Sequence, residues 1–144
     1  GGAVVGRGVA LVESFGSIVA QVAEVEVAPK SRPRVTRVWA AIDCGRVINP
    51  DTVAAQIEGG IIFGLSAALF GRISFKDGRV EQDNFHAYPL ITMADCPEID
   101  VRIIASDADP GGVGEPGTPP IAPAVANALF AATGKRWRNL PFFA

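Results

Sequence analysis

Side chains that bind metals are scarce in this chain: one histidine, His86, and two cysteines, Cys44 and Cys96, in 144 residues. The cysteines stand far apart with no C-x-x-C pair, so zinc or iron–sulfur ligation would have too few ligands at the wrong spacing. Two free, buried thiols are expected, and no metal ligands. His86 has no nucleophile at readable spacing and is expected to be a hydrogen-bonded structural residue. Ser14, Ser17 and Ser66 lack the G-x-S-x-G elbow, which argues against a serine triad. Met93 is the only methionine, so Gly1 is not a translation start; a processed product or a piece of a longer protein is expected. No charged n-region followed by an apolar run marks a signal peptide. That says nothing of a parent's compartment.

Charge of one sign is also lacking. Thirteen basic and 15 acidic residues give a net charge of −2 and a pI near 5.3, which argues against nucleic acid or an anionic membrane surface as the main partner. Apolar runs such as residues 57–70 are too short and interrupted for a membrane span.

What is present is an apolar, glycine-rich chain: 49% hydrophobic residues with 16 Gly and 11 Pro, and a mean hydropathy of +0.28. Its length predicts one domain over residues 1–144 with a real core. The first 44 residues read as an antiparallel meander. Residues 6–13 and 18–27 are joined through Ser14-Phe15-Gly16-Ser17, and 34–42 supplies a third strand rich in Val, Thr and Trp. Gln21, Glu24 and Glu26 alternate imperfectly with Val22, Val25 and Val27, as on a sheet with one wet face. Then the period changes. Asn49-Pro50-Asp51 predicts a helix start over about 50–70, with Val53, Ile57, Ile61, Leu65 and Ala68 on one stripe. Gly59, Gly60 and Gly64 lie inside it, each costing on the order of 1 kcal/mol against alanine. Gln56, Gly60 and Gly64 share a helix face and predict a shallow groove with an amide at its head. A hairpin is expected around Lys76-Asp77-Gly78, a strand over 99–105, and a second helix over about 119–133 closing on Gly134. The expected class is α+β: an antiparallel sheet, from the meander plus the later hairpin and strand, with two helices.

The segment Gly111-Gly112-Val113-Gly114-Glu115-Pro116-Gly117-Thr118-Pro119-Pro120 holds one ionisable side chain among glycines and prolines. Glycine permits positive φ and close approach, and proline removes freedom. Glu115 is a candidate general base; a solvated acid in a flexible loop is the alternative. The G-x-G-x-x-G match at Gly112 to Gly117 lacks the second strand and ribose-binding acid of a dinucleotide fold, so that reading fails.

Several segments together resemble a known family. They are Glu13 to Ser17, Asp43 to Pro50, Gln56 to Gly60 with Gly64-Leu65, Asn84-Phe85-His86, Gly112 to Pro116, and Ala122 to Ala128. In this order they resemble the C-terminal part of the molybdopterin-binding large subunit of molybdenum hydroxylases. These are the xanthine dehydrogenase and aldehyde oxidoreductase family, and the resemblance is nearest to the isoquinoline 1-oxidoreductase β-subunit-like branch. It implies Glu115 as the catalytic base beside molybdenum, and Gln56, Gly59, Gly60, Val113 and Gly114 as cofactor-binding. It implies hydroxylation of an N-heteroaromatic or aldehyde carbon with water-derived oxygen. The implied cofactor is molybdopterin cytosine dinucleotide, and the implied partners are the rest of the large subunit and a small [2Fe-2S] subunit. Bacterial cytoplasm and periplasm both stay open. The family's large subunits are several times longer, so this chain alone is expected to be inactive. The alternative is a stand-alone, non-catalytic binding or assembly module.

Overall fold

The computed structural model describes residues 2–143. Strands β1 (Val4–Ser14), β2 (Ser17–Val27) and β3 (Arg34–Asp43) form the meander, followed by helix α1 (Pro50–Phe70). A short hairpin of β4 (Phe75–Lys76) and β5 (Arg79–Val80), strand β6 (Glu98–Ile103) and helix α2 (Ile121–Thr133) complete the chain. The class is α+β, as expected.

The four-stranded sheet runs β1-β2-β3-β6. The first two pairings are antiparallel, whereas β6 lies parallel to β3, with Val38 opposite Ile99. Parallel neighbours need a crossover rather than a hairpin, and here α1 and the β4–β5 hairpin lie between them in the chain. That hairpin forms its own two-stranded sheet instead of extending the main one.

Local signals account for most element ends. The Asn49 side chain accepts a hydrogen bond from the Thr52 N–H and caps α1. Gly134 closes α2 at φ 71°. Asp77 and Gly78 turn the small hairpin with φ of 51° and 75°, the two-residue geometry that suits twisted strands. In the β1–β2 turn the same geometry falls on Phe15 (φ 55°) and Gly16 (φ 73°).

Both helices cover one face of the sheet. The core combines Val19, Val38 and Ile42 with Ile57, Ile61 and Leu65 of α1 and Ile121, Val125 and Leu129 of α2. By length and composition α1 could cross a membrane, being longer than the apolar run read from sequence. Its stripe of Val53, Ile57, Ile61 and Leu65 instead lies in this core. At β1 the close packing of α2 depends on glycine: a Cβ on Gly8 would sit 2.2 Å from the Ala128 N. The opposite sheet face carries Arg7–Glu24 and Arg37–Glu98 ion pairs, with both guanidiniums 5.4 Å from the Trp39 ring. The hydrogen bonds from Arg7 and Thr36 hold the Glu24 carboxyl below its usual range.

Three expectations need correction. Gln21 does not face water: it is fully buried, on the core side of β2. Side chains alternate along a strand, so Gln21 shares its face with Val19, Ala23 and Val25, and the wet-face acids Glu24 and Glu26 occupy the other parity. His86 is exposed rather than structural, with its nearest acid, Asp83, at 3.7 Å. Both cysteines are free, but only Cys44 is fully buried; its burial pushes the thiol pKa up and leaves it unreactive.

Candidate functional site

The glycine-proline segment runs past the start of β2 and the end of β3 and lies along the middle of α1, held by backbone and side-chain bonds along its length. Gly111 N–H donates to the Cys44 carbonyl at 2.9 Å, and Gly112 N–H donates to the Phe15 carbonyl at 2.7 Å. The Ser17 hydroxyl donates to the Gly112 carbonyl at 2.7 Å, and the Gln21 amide donates to the Gly117 carbonyl at 2.7 Å. The Thr118 hydroxyl donates to the Gly60 carbonyl of α1 at 3.1 Å. The segment is thus anchored on both sides of Glu115, whose own side chain stays exposed.

The three helix glycines have different reasons. A Cβ on Gly64 would fall 2.6 Å from Ile121 Cγ2 and 2.9 Å from the Thr118 carbonyl, and one on Gly60 would fall 3.3 Å from Gly117. These two let the segment and α2 lie directly on α1. Gly59 is different, because a Cβ there would meet nothing within 4 Å.

Gly59 opens onto a concavity of about 500 Å³, lined by Gln56, Gly59, Gly60, Gly114 and Glu115, with Phe15 and Phe63 as apolar walls. Gln56 and Glu115 are both exposed there. Gln56 Nε2 stands 4.0 Å from where a Gly114 Cβ would be. Glu115 forms no ion pair with a described residue. So Gln56, Gly59, Gly60, Gly114 and Glu115 come together. Val113 does not join them: it lines a neighbouring depression of about 240 Å³ with Cys44, Arg46 and Asn49. The parity of a turning backbone explains the split, since Val113 and Gly114 are successive residues pointing to different sides.

Sequence reasoning missed Phe15, Ser17, Gln21 and Thr118. For Gln21 the signal was its parity with Val19 and Ala23. For Ser17 and Thr118 none existed, because their partners, Gly112 and Gly60, are distant in the chain. Among the described residues no group of three or more His, Cys, Asp or Glu could hold a metal ion.

The cavity offers a flexible amide with two donors and an acceptor, a bare glycine floor, aromatic walls and one carboxylate. That set can receive a flat, polar group laid against the floor. The cavity is open on one side. Residues 12–97 match the molybdopterin cofactor-binding domain family, and the chain belongs to that family. It corresponds to part of the large subunit of a molybdenum hydroxylase.

The isoquinoline 1-oxidoreductase subunit beta of Brevundimonas diminuta is 47% identical over 107 residues, covering 74% of this chain and 14% of that protein. A membrane-bound aldehyde dehydrogenase of Gluconacetobacter polyoxogenes, named as a pyrroloquinoline-quinone enzyme, is 40% identical over 100 residues, covering 69% of this chain and 13% of its own. The crystal structure of quinoline 2-oxidoreductase from Pseudomonas putida 86 superposes with a TM-score of 0.82 at 26% identity, covering 88% of this chain and 17% of that one. The chain thus spans about a seventh of the length of the curated relatives named here. The matched residues 12–97 include Gln56, Gly59 and Gly60 and stop short of Glu115.

Proposed function

We propose that this chain forms the wall of a molybdenum hydroxylase active site that presents the general base, Glu115. The observation that carries the reading is the convergence of Glu115, Gln56 and the bare Gly59 floor on one cavity, although Gln56 and Glu115 come from separate elements. The pyrroloquinoline-quinone name of one relative is set aside because the family match includes the cavity's helix face.

Molybdopterin, in its cytosine dinucleotide form, would supply the redox centre that takes two electrons from the substrate carbon. The Gln56 amide would hold the cofactor by hydrogen bonds, and Gly59 and Gly60 would leave it room beside the α1 backbone. Gly114 keeps the space beside the Gln56 amide clear. Glu115 accepts at a carboxylate oxygen the proton lost by the water-derived oxygen as it adds to carbon. The C–H bond of that carbon breaks, and its hydrogen leaves with the two electrons that the redox centre would take up. The general-base contribution is about 10²–10⁴-fold. The class of substrate is an N-heteroaromatic ring or an aldehyde, whose electron-poor carbon suits attack by oxygen. Electrons leave through a small [2Fe-2S] subunit, and the remaining walls come from the rest of the large subunit. On its own the chain is inactive, because one open wall cannot exclude water from the chemistry.

Glu115→Gln keeps the shape of the side chain and removes its basicity. In the assembled enzyme it is expected to lower turnover by about 10²–10⁴-fold while molybdenum content, measured by elemental analysis, stays near wild type. Unchanged turnover would take Glu115 out of the base role. Gln56→Ala is expected to act the other way, lowering cofactor content before it lowers turnover per bound cofactor.

A further inference from the structure

Buried polar side chains are rare on the sheet's core face, and the two on β2 do related jobs. Ser17 and Gln21 are both fully buried and lie four residues apart on one strand face. Each donates a 2.7 Å hydrogen bond to the Glu115 segment, Ser17 to Gly112 and Gln21 to Gly117. Those carbonyls bracket Glu115, three residues before it and two after. A third bond of 2.7 Å, from Gly112 N–H to the carbonyl of Phe15, ties the segment to the β1–β2 turn.

We infer that the β1–β2 hairpin is the positioning frame of Glu115, with Ser17 and Gln21 as its two fixed donors. What Glu115 does in that position rests on the general-base reading above; the bracing itself rests on geometry alone.

Packing does not account for Gln21. Its Nε2 is bonded, but its Oε1 is buried without a partner, and an unpaired buried acceptor is destabilising. A methionine or leucine of similar volume would remove that orphan and fill the same space. Only an NH₂ group can donate to the Gly117 carbonyl, so the amide earns its place through the segment it holds. Prolines stiffen the segment but cannot fix its distance from the sheet, since proline has no N–H to bond. A strand inside a sheet is among the most rigid supports a fold offers, and a side chain rising from it sets that distance.

Gln21→Met and Ser17→Ala remove one donor each with little change in volume. In the intact protein, amide hydrogen exchange resolved by mass spectrometry is expected to quicken about tenfold across residues 111–118 in each variant, with β3 and α1 unchanged. Turnover is expected to fall with substrate KM held, since a misplaced base affects the reaction more than binding. Unaltered exchange across 111–118 in both variants would overturn the frame. Ser17→Ala, the smaller change, keeps the test open should Gln21→Met fail to fold. Faster exchange with unaltered turnover would support the frame and count against the general-base reading, so the two can fail separately.

Discussion

At the scale of single residues, Phe15 sits where its chemistry is least comfortable. A non-glycine residue in the left-handed region is costly, about 1–2 kcal/mol, and type I′ turns prefer Asn, Asp or Gly at that place. Phe15 is 63% exposed, so burial repays little of this, and its side chain walls the cavity. Strain at such a place is a signature of function over stability. Phe15→Asn is expected to raise stability by about 1 kcal/mol, seen as a rise in thermal midpoint of a few degrees, and to weaken cofactor or substrate binding in the assembled enzyme. A lower midpoint would mean that the ring packs more than its exposure allows. Residue type singled out Glu115 by its isolation among glycines. It could not locate Ser17, Gln21 or Thr118 as its supports, because hydrogen bonds between segments about 60 to 100 positions apart leave no local pattern.

At the scale of elements, periodicity and end signals carried most of the reading. Asn49 capping, the Asp77-Gly78 turn and the Gly134 stop are local chemistry, and all appear in the structure. The parallel placement of β6 was not legible, since strand direction depends on where the connection returns. The glycines of α1 separate what propensity says from what packing says. Gly59→Ala is expected to stabilise the chain by about 1 kcal/mol, the helix propensity difference with no clash opposing it. Gly64→Ala should gain the same propensity and lose more, destabilising by about 1–3 kcal/mol, because its Cβ meets Ile121 and Thr118. Chemical denaturation of both variants checks the contrast, and equal effects would contradict the packing assignment. In the assembled enzyme Gly59→Ala should also reduce cofactor content, since its methyl enters the cavity floor.

At the scale of the whole molecule, the described residues present one open wall. The core is complete, with both helices seated on the sheet, but the cavity has a single side. The chain by itself is therefore expected to fold cooperatively and to hold no molybdenum after purification from cofactor-producing cells. Stoichiometric metal would contradict the need for the rest of the large subunit and favour a self-contained binding module.

The sequence by itself determined the elements, the core stripe and the acid worth attention, because capping, turn chemistry and periodicity act over a few residues. Motif resemblance extended this to a family and a cofactor class, which the comparisons bear out at that level. Only the tertiary structure decided that Gln56, Gly59 and Glu115 share a cavity while Val113 lines another depression, and that buried Gln21 reaches the segment beside the acid. Those facts depend on how distant segments meet across the sheet. Packing settles that geometry, and no local signal in the chain encodes it.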